Sequence, residues 1–275
     1  MAEELGREAV DGWLADYARA WEEQDPVAVV PLFTEDATYR SQPFREPHVG
    51  HDGVERYWRD AVTTQSDVRV RFGTPVVDGE RVAVEWWTTA VDEASPKTIA
   101  GILLLRFADD GRCRALREHW AIAEGIREPF PGWGEPVGNE LPVETVRESA
   151  RQWGSTWRSA WERYDVEAVV NLYADDVVFR SHPFQEPHLG RDGVRAYVTQ
   201  AYAEEEDTRA WFGEPFADDR AAAVEWWAAG KEQGEPSTLA GCSMLGFNHD
   251  GLVVDQRDSW NMEQGMRDPY DGWGT

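Results

Sequence analysis

The sequence repeats itself: adding 140 to a residue number in the first half gives the matching residue in the second half, without a gap. Residues 41–50 read SQPFREPHVG and residues 181–190 read SHPFQEPHLG, while VEWW stands at both 84–87 and 224–227. Matched Trp pairs follow the same offset: Trp13/Trp153, Trp21/Trp161, Trp86/Trp226, Trp87/Trp227, Trp120/Trp260 and Trp133/Trp273. Repetition at a fixed offset indicates that each copy is one structural unit. The chain is therefore predicted to fold as two similar domains.

A chain of 275 residues would suit either one large domain or two of ordinary size, and the repeat favours two. The first copy is predicted over residues 1–134 and the second over residues 145–275. Residues 135–144 contain Pro136, Gly138 and Pro142 among short polar residues, which is typical of a linker.

The charge of the chain is strongly negative, since 52 acidic side chains stand against 27 Lys and Arg, for a net charge of -25. Phosphate backbones and anionic lipid surfaces would be repelled, so neither nucleic acid nor a membrane is an expected partner. The N-terminus MAEEL lacks the cationic start of a signal peptide, and the longest apolar run, 99–105, is too short to span a bilayer. A cytoplasmic protein is expected, with Cys113 and Cys242 as buried free thiols.

Within each copy the periodicity predicts helices first and strands later. Aromatic residues recur every four positions at 13–21 and 153–161, the spacing of one helix face. Asp25 and Pro26 predict the cap and start of a short second helix, and Asp52 predicts the cap of a third. Strands are predicted at 37–42, 68–76, 81–91, 98–108 and 112–123. This order is typical of an α+β domain.

Two short segments stand out in each copy. The first strand carries YRSQP at 39–43 and FRSHP at 179–183, and the last strand carries REHW at 117–120 and RDSW at 257–260. Together with the order of the elements, these segments resemble the SnoaL-like branch of the nuclear transport factor 2-like superfamily, over essentially all of both copies. The resemblance implies two tandem cystatin-like cones, each a curved antiparallel sheet wrapped around three helices, with an apolar pocket between sheet and helices.

Locally, the same segments are similar to those of the limonene epoxide hydrolase family. In that family a last-strand Asp, with a Tyr and an Asn of the first strand, positions the attacking water. The resemblance carries these roles to Glu118, Tyr39 and Ser41 in the first copy, and to Asp258 and Ser181 in the second, where Phe179 replaces the Tyr.

A second acid of that family, the Asp of an Arg-x-Asp pair on a middle strand, protonates the epoxide oxygen. The nearest acids here are Glu85 and Glu225, and Ala stands where the Arg should be in both copies. The missing Arg argues against epoxide hydrolysis itself. It leaves generic pairs of carboxylates, Glu85 with Glu118 and Glu225 with Asp258, in which burial would raise one pKa for acid or base work.

Strand alternation links each acid to a Trp, because side chains two residues apart share a face. The acid and Trp pairs are Glu85 with Trp87, Glu118 with Trp120, Glu225 with Trp227, and Asp258 with Trp260. All eight are predicted to line the two pockets, where indole surroundings favour a protonated acid. The alternative is that the acids point outward and belong to the solvated surface.

Adjacent Trp residues at 86–87 and at 226–227 must point to opposite faces of their strands. One Trp of each pair is predicted to line the interior and the other to lie outside. Members of the superfamily commonly dimerise through the outer face of the sheet. The resemblance therefore implies that the outward Trp covers a contact between the copies, in an intramolecular pseudo-dimer.

His48 and His188 occupy matched places after the first strand, each preceded by Glu-Pro. Either could carry a proton or contact a substrate near neutral pH, although Pro-His-x-Gly is equally explained as a turn leading into the third helix. No set of His, Cys and carboxylates repeats at metal-ligand spacing, and no phosphate or dinucleotide loop occurs. Neither a metal nor a cofactor is expected.

Two functions are compatible with these residues. The first is a cofactor-independent acid/base enzyme of the cyclase, isomerase, dehydratase or hydrolase type, acting on a small apolar molecule in a Trp-lined pocket. The second is a non-catalytic module that binds a small ligand or provides a rigid pseudo-dimeric body. Of the two copies, the first is expected to be the more active, since it keeps Tyr39, whereas Phe179 has no hydroxyl.

Overall fold

A computed structural model describes residues 6–136 and 138–275. Met1–Leu5, where no signal peptide is expected, and Val137 of the predicted linker lie outside the described residues. The chain divides into two compact units, Met1–Glu135 and Pro136–Thr275. Among the helices of the described residues, none is both long enough and apolar enough to cross a membrane.

The first unit places three helices beside one seven-stranded sheet. Its elements are α1 (Arg7–Glu22), α2 (Pro26–Val29), a 3-10 helix (Val30–Leu32), β1 (Phe33–Arg40), β2 (His48–Val49), α3 (Gly50–Val62), β3 (Gln65–Phe72), β4 (Val76–Asp78), β5 (Arg81–Asp92), β6 (Ser95–Phe107) and β7 (Cys113–Glu124). The strand order is β2-β1-β7-β6-β5-β3, with β4 paired to β5.

The second unit repeats this arrangement. Its elements are α4 (Val143–Trp161), α5 (Val166–Val170), β8 (Tyr173–Arg180), β9 (His188–Leu189), α6 (Gly190–Glu204), β10 (Glu205–Phe212), β11 (Phe216–Ala217), β12 (Ala222–Glu232), β13 (Glu235–Phe247) and β14 (Val253–Gln264). The strand order is β10-β12-β13-β14-β8-β9, with β11 paired to β12. Helix α4 begins within the segment predicted as a linker, and the Asn139 and Leu141 amides donate to carbonyls of the same unit.

The predicted α+β class is confirmed in both units, with one exception in the sheet. All strand pairs are antiparallel except β1 with β7 and β8 with β14, which are parallel. The first and last long strands of a unit therefore lie side by side, with Tyr39 opposite Leu116 and Phe179 opposite Gln256. This pairing places the two segments singled out in the sequence next to each other.

The aromatic stripe of α1 packs on the sheet because residues four apart share a helix face. Trp13 and Tyr17 stack with ring centroids 4.9 Å apart, and Trp21 meets Trp86 of β5 at 5.4 Å. The side chain of Asp25 accepts hydrogen bonds from the first amides of α2, so the predicted cap is formed.

Helix α3 begins at Gly50, two residues before the predicted cap Asp52, which lies in the first turn instead. The cause lies in the backbone. Residues His48–Val49 pair with β1 as strand β2, and Gly50 then turns the chain into the helix with a φ of +68°. Glycine adopts this left-handed conformation without steric cost, so no side-chain cap is needed to fix the turn.

Each unit buries its own apolar core, and the two cores differ where the last strand meets the first. Val84 and Trp86 belong to the first core together with Leu116 of β7. In the second unit the residue equivalent to Leu116 is the buried Gln256. A polar side chain therefore enters the interior of the second unit, beside the last-strand acid. Cys113 and Cys242 are buried and free, as predicted.

Candidate active site

In the first unit, three hydrogen-bonded side chains cross the interior. Tyr39 of β1 donates its hydroxyl hydrogen to Glu118 Oε1 of β7, and the Tyr17 hydroxyl of α1 lies 2.8 Å from the Tyr39 hydroxyl. The structure brings Tyr39 and Glu118 together, as the family resemblance implied. It also adds Tyr17, which the sequence indicated only as part of an aromatic stripe.

Glu118 is 5% exposed, and burial raises the pKa of its carboxyl to about 8, while the hydrogen bond from Tyr39 lowers it. A carboxyl group removed from water favours its neutral form, because the charged form loses its hydration. Burial, followed by the neighbouring Glu118, raises the pKa of Tyr39 and of Tyr17 well above the usual value. Both tyrosines therefore keep their protons at neutral pH.

We expect Glu118→Gln to stabilise the protein at pH 8 and to change its stability little at pH 5. The carboxyl pKa is 4.5 in the reference state and about 8 in the fold, so the folded state holds the proton more tightly. Wild-type stability should therefore fall as the pH rises through this window, by about 1.4 kcal/mol per pH unit for one such group. Urea unfolding at pH 5 and pH 8 measures the difference.

The amide keeps the size of Glu118 and an oxygen that accepts from Tyr39. Glu46→Gln, at an exposed position, is the control and should give the same result at both pH values. A Glu118→Gln protein that is less stable than wild type at pH 8 would contradict the expectation.

Trp58 of α3 fills the interior of the first unit beside this chain of hydroxyls. Its indole is 2% exposed, and its ring centroid lies 5.2 Å from Tyr17, 5.4 Å from Trp21 and 6.5 Å from Tyr39. The equivalent residue of the second unit is Val198. The second unit thus has a much smaller side chain at the point where the first unit packs an indole.

The second unit holds a different chain of hydrogen bonds. The Trp157 indole donates to the Tyr173 hydroxyl at 3.1 Å, and Tyr173 donates to Gln256 Oε1 at 2.6 Å. Gln256 Nε2 donates in turn to both carboxylate oxygens of Asp258, at 2.9 and 3.1 Å. Because the Gln256 oxygen is engaged by Tyr173, its amide is oriented with the nitrogen toward Asp258.

Phe179 has no hydroxyl, but the adjacent Tyr173 supplies one in the second unit. The first unit has Phe33 and Tyr39 with ring centroids 5.8 Å apart, whereas the second has Tyr173 and Phe179 at 6.0 Å. Phe and Tyr have thus exchanged places between the two units. Sequence reasoning that followed only the position of Tyr39 missed this exchange, although the Phe33/Tyr173 mismatch is visible in the repeat.

Asp258 lines a cavity in the second unit and is half-buried there. Enclosure by the protein raises the pKa of its carboxyl to about 7, while hydrogen bonds from Ser243 and Gln256 lower it. A group that titrates near neutral pH has its acid and base forms in comparable amounts, which is what proton transfer requires. Gln256 and Ser243 were not predicted, since Leu116 and Leu103 stand at these positions in the first copy.

The cavity is mostly aromatic. The cavity has a volume of about 70 Å³, several times the roughly 10–15 Å³ that one water molecule needs. Its lining residues are Trp153, Trp157, Trp161, Phe179, Tyr197, Val198, Ala201, Tyr202, Glu205, Phe212, Trp226, Leu239, Ser243, Gln256, Asp258 and Trp260. A concave, largely apolar space with a few convergent polar groups is the usual form of a small-molecule site.

A second carboxyl group, Glu205 at the start of β10, lines the same cavity. Burial raises its pKa to about 7, the hydrogen bond from Trp161 lowers it, and the nearby Glu232 raises it. In the first unit this place is taken by Gln65, whose Oε1 accepts from the Trp21 indole at 2.9 Å. Sequence reasoning missed Glu205, because one acid in the run EEED at 204–207 gives no signal of its own.

The predicted residues Trp120 and Trp260 face the interior beside their acids. Each indole donates to a backbone carbonyl at the end of the first strand, Trp120 to Ser41 and Trp260 to Ser181, both at 2.7 Å. These bonds hold the loop after the first strand against the last strand. Of the two indoles, Trp260 belongs to the lining of the cavity described above.

The matched histidines contact the tyrosines of the third helix in each unit. His188 stacks on Tyr197 at 4.4 Å, and its Nε2 lies 3.0 Å from Ser181 Oγ. His48 packs on Tyr57 at 4.7 Å. Burial lowers the pKa of both histidines. In the second unit it is Tyr197, missed by sequence reasoning despite its match with Tyr57, that belongs to the cavity lining.

The prediction that Glu85 and Trp87 line the first pocket, and Glu225 and Trp227 the second, is wrong. Val84 and Trp86 belong to the first core, and Val224 and Trp226 to the second. Since neighbouring strand residues face opposite ways, the two Glu and the outward Trp lie on the other face of the sheet. The carboxylate pairs of Glu85 with Glu118 and of Glu225 with Asp258 are therefore not formed.

The outward Trp of each pair is covered by its own unit. The Trp87 indole donates to the Arg127 carbonyl at 2.9 Å, and its ring meets those of Phe130 and Trp133. Trp227 makes the equivalent contacts with the end of the second unit, donating to the Arg267 carbonyl at 2.8 Å. These Trp residues anchor the segment that follows the last strand.

Comparisons with known proteins agree with the repeat. A SnoaL-like domain model matches residues 14–116 and 155–256. No match is found among curated proteins. Similar solved structures include a Catenulispora acidiphila protein with a ketosteroid isomerase-like fold in complex with trimethylamine (18% identity, TM-score 0.36, 39% of this chain and 83% of that one). Another is a Mycobacterium tuberculosis protein (21% identity, TM-score 0.39, 43% of this chain and 98% of that one).

Proposed function

This chain belongs to the SnoaL-like domain family, and from that premise we propose that the cavity of the second unit is an active site for cofactor-independent acid/base catalysis on a small, largely apolar molecule. Asp258 supports this function most directly. Its carboxyl group borders a Trp-lined cavity, is held by Gln256, and has a pKa raised by enclosure to about 7.

Asp258 is the proton-transfer group in this proposal. When ionised it takes a proton from a substrate carbon or from a water placed in the cavity, and when protonated it donates to a substrate oxygen. Gln256 fixes the orientation of the carboxyl group through two hydrogen bonds, and Tyr173 and Trp157 fix Gln256 in turn. A base whose position is fixed before the substrate binds loses less freedom on reaching the transition state.

The aromatic walls define the kind of molecule that fits. Indoles and phenyl rings gain free energy by removing apolar surface from water, so a compact hydrocarbon framework is favoured. Cyclisation, isomerisation, dehydration and hydrolysis all need a proton moved at one substrate atom, which a single carboxyl group can do.

The first unit is less suited to this chemistry, contrary to the expectation from Tyr39. Glu118 accepts a hydrogen bond from the Tyr39 hydroxyl, and Trp58 contacts the rings of Tyr17 and Tyr39. The Glu118 carboxyl group is therefore already hydrogen-bonded, and the ring of its partner Tyr39 packs against a buried indole. We therefore assign catalysis to the second unit and packing to the first.

A pH profile of turnover tests the assignment. Wild-type protein in excess is mixed with a panel of small cyclic ketones, epoxides and alcohols, and single-turnover rates are followed from pH 5 to pH 9. A converted substrate is expected to show a rate that changes across an apparent pKa near 7. A flat profile, or the same profile in Asp258→Asn, would favour a non-catalytic ligand-binding module.

A further inference from the structure

We infer that the cavity of the second unit recognises a small organic cation, namely an alkylammonium group carried on an apolar body. This inference rests on the cavity proposed above as the active site and adds the class of ligand. It does not depend on catalysis, because binding can be measured whether or not the ligand reacts.

The lining combines indoles with acids and no basic side chain. Five of the lining residues are Trp: Trp153, Trp157, Trp161, Trp226 and Trp260. Asp258 and Glu205 supply two carboxyl groups. Among the described residues that line the cavity, none is Lys, Arg or His. Whatever balances these two acids when they are ionised must therefore come from outside this set of residues.

An organic cation fits both parts of this lining. The faces of indole rings attract cations through the ring quadrupole, and alkylammonium groups are the ligands for which aromatic cages are used. Enclosed carboxylates are costly while they lack an opposite charge. A bound cation offsets that cost and keeps its alkyl groups against apolar walls. The net charge of -25 also raises the local concentration of cations around the protein.

A polar atom in the wall lacks a partner. Tyr202 lines the cavity and is 8% exposed, and its hydroxyl has no hydrogen-bond partner within the described parts of the chain. Buried hydroxyls are almost always hydrogen-bonded in folded proteins. This oxygen can accept from the hydroxyl of a ligand such as choline, or from an ammonium N–H.

The charged and titratable groups around the two acids do not supply the missing cation. Ser243, Gln256 and the tyrosines Tyr173 and Tyr197 surround Asp258. Trp161, Thr208, Tyr202 and Glu232 surround Glu205. Lys231 lines a smaller adjoining cavity with Glu205, but its ammonium group lies 2.6 Å from Asp207. Lys231 is thus engaged by another acid, and burial lowers the pKa of His188, which stacks on the lining residue Tyr197.

The first unit provides a comparison within the same chain. Gln65 stands in place of Glu205 and accepts the same kind of indole hydrogen bond. Leu103 and Leu116 stand in place of Ser243 and Gln256, and Trp58 packs where the second unit has Val198. The second carboxyl group and the open space therefore occur together in the second unit.

Calorimetry with two molecules of the same shape tests the inference. Choline carries a quaternary ammonium group, and 3,3-dimethyl-1-butanol carries an uncharged carbon in its place. We expect choline to bind at least about 10-fold more tightly than the alcohol at pH 8. Choline affinity should fall as the pH decreases through 7, because protonated carboxyl groups no longer attract the cation. The affinity of the alcohol should not fall. Equal affinities at pH 8 would overturn the inference.

Matched variants of the two units test whether Glu205 is responsible for the affinity for choline. Glu205→Gln copies the residue that the first unit already folds with, so the Trp161 hydrogen bond keeps an acceptor, and choline affinity should drop about 10-fold. Gln65→Glu in the first unit is the control and should leave choline affinity unchanged. An unchanged affinity in folded Glu205→Gln would also overturn the inference.

The ligand class and the proposed catalysis can fail separately. If the protein shows no preference for the cation but its turnover still depends on Asp258, only the ligand class is rejected. If the protein binds the cation but turns over no substrate, only the proposed catalysis is rejected.

Discussion

Asp258→Asn is expected to slow single turnover by about 10²- to 10⁴-fold, the usual contribution of general acid/base help. The amide has nearly the same size and keeps one oxygen for the Gln256 hydrogen bond, but it can neither hold a negative charge nor take up a proton at neutral pH. The cavity and the Trp walls should be unchanged. Substrate binding should therefore survive while the rate falls, and rapid-mixing measurements with excess protein separate the two.

Glu118→Gln is the matched control, because it makes the same chemical change at the equivalent residue of the first unit. If catalysis belongs to the second unit, this variant should keep the wild-type rate within about twofold. The double variant should then behave like Asp258→Asn alone. Equal losses from the two single variants would show that both units work, and an undiminished rate in folded Asp258→Asn would remove the acid from the mechanism.

Trp58→Ala is expected to lower the free energy of unfolding by about 3–5 kcal/mol, the usual cost of deleting a large buried aromatic side chain. Trp58 is 2% exposed and contacts rings from α1 and β1 as well as Tyr57 of its own helix. Its removal leaves a cavity that these rings cannot close without leaving their own contacts. Urea unfolding, monitored by circular dichroism and by Trp fluorescence, measures the loss.

Val198→Ala is the corresponding change in the second unit. It removes two methyl groups from a residue that already borders a cavity, so the expected cost is about 1–2 kcal/mol. A cost for Trp58→Ala no larger than that for Val198→Ala would contradict the interpretation of Trp58 as the side chain that fills the first unit. A choline site that appears in the first unit of Trp58→Ala would be unexpected, since Gln65 carries no charge.

Local patterns in the sequence were sufficient for the architecture. The repeat at a fixed offset separates the two units, and the four-residue aromatic spacing of α1 and α4 identifies the face that meets the sheet. The two-residue alternation of the last strand correctly pairs Glu118 with Trp120 and Asp258 with Trp260. These features depend only on the geometry of a single helix or strand, which the periodicity of apolar residues reflects directly.

Strand β5 was different. The two-residue alternation shows which residues share a face of the strand, but it does not show which face points into the core. Trp86 and Trp87 are both 3% exposed, one in the core and one beneath the segment after the last strand. Because both indoles are buried, the sequence is compatible with either Trp86 or Trp87 facing the core. Only the packing of that segment, contributed by residues some forty positions away, decides that Trp87 and Glu85 are on the outer face.

The sequence by itself thus determined the two α+β units and the inward direction of the last-strand acids, whereas only the tertiary structure shows the cavity beside Asp258 in the second unit. The differences that matter are Val198 for Trp58, Gln256 for Leu116, Glu205 for Gln65 and Tyr173 for Phe33. They lie on four different elements, and each is compatible with the local pattern of its own helix or strand. A cavity is the volume that several elements leave unfilled together, so its existence and its charge depend on contacts between residues far apart in the chain.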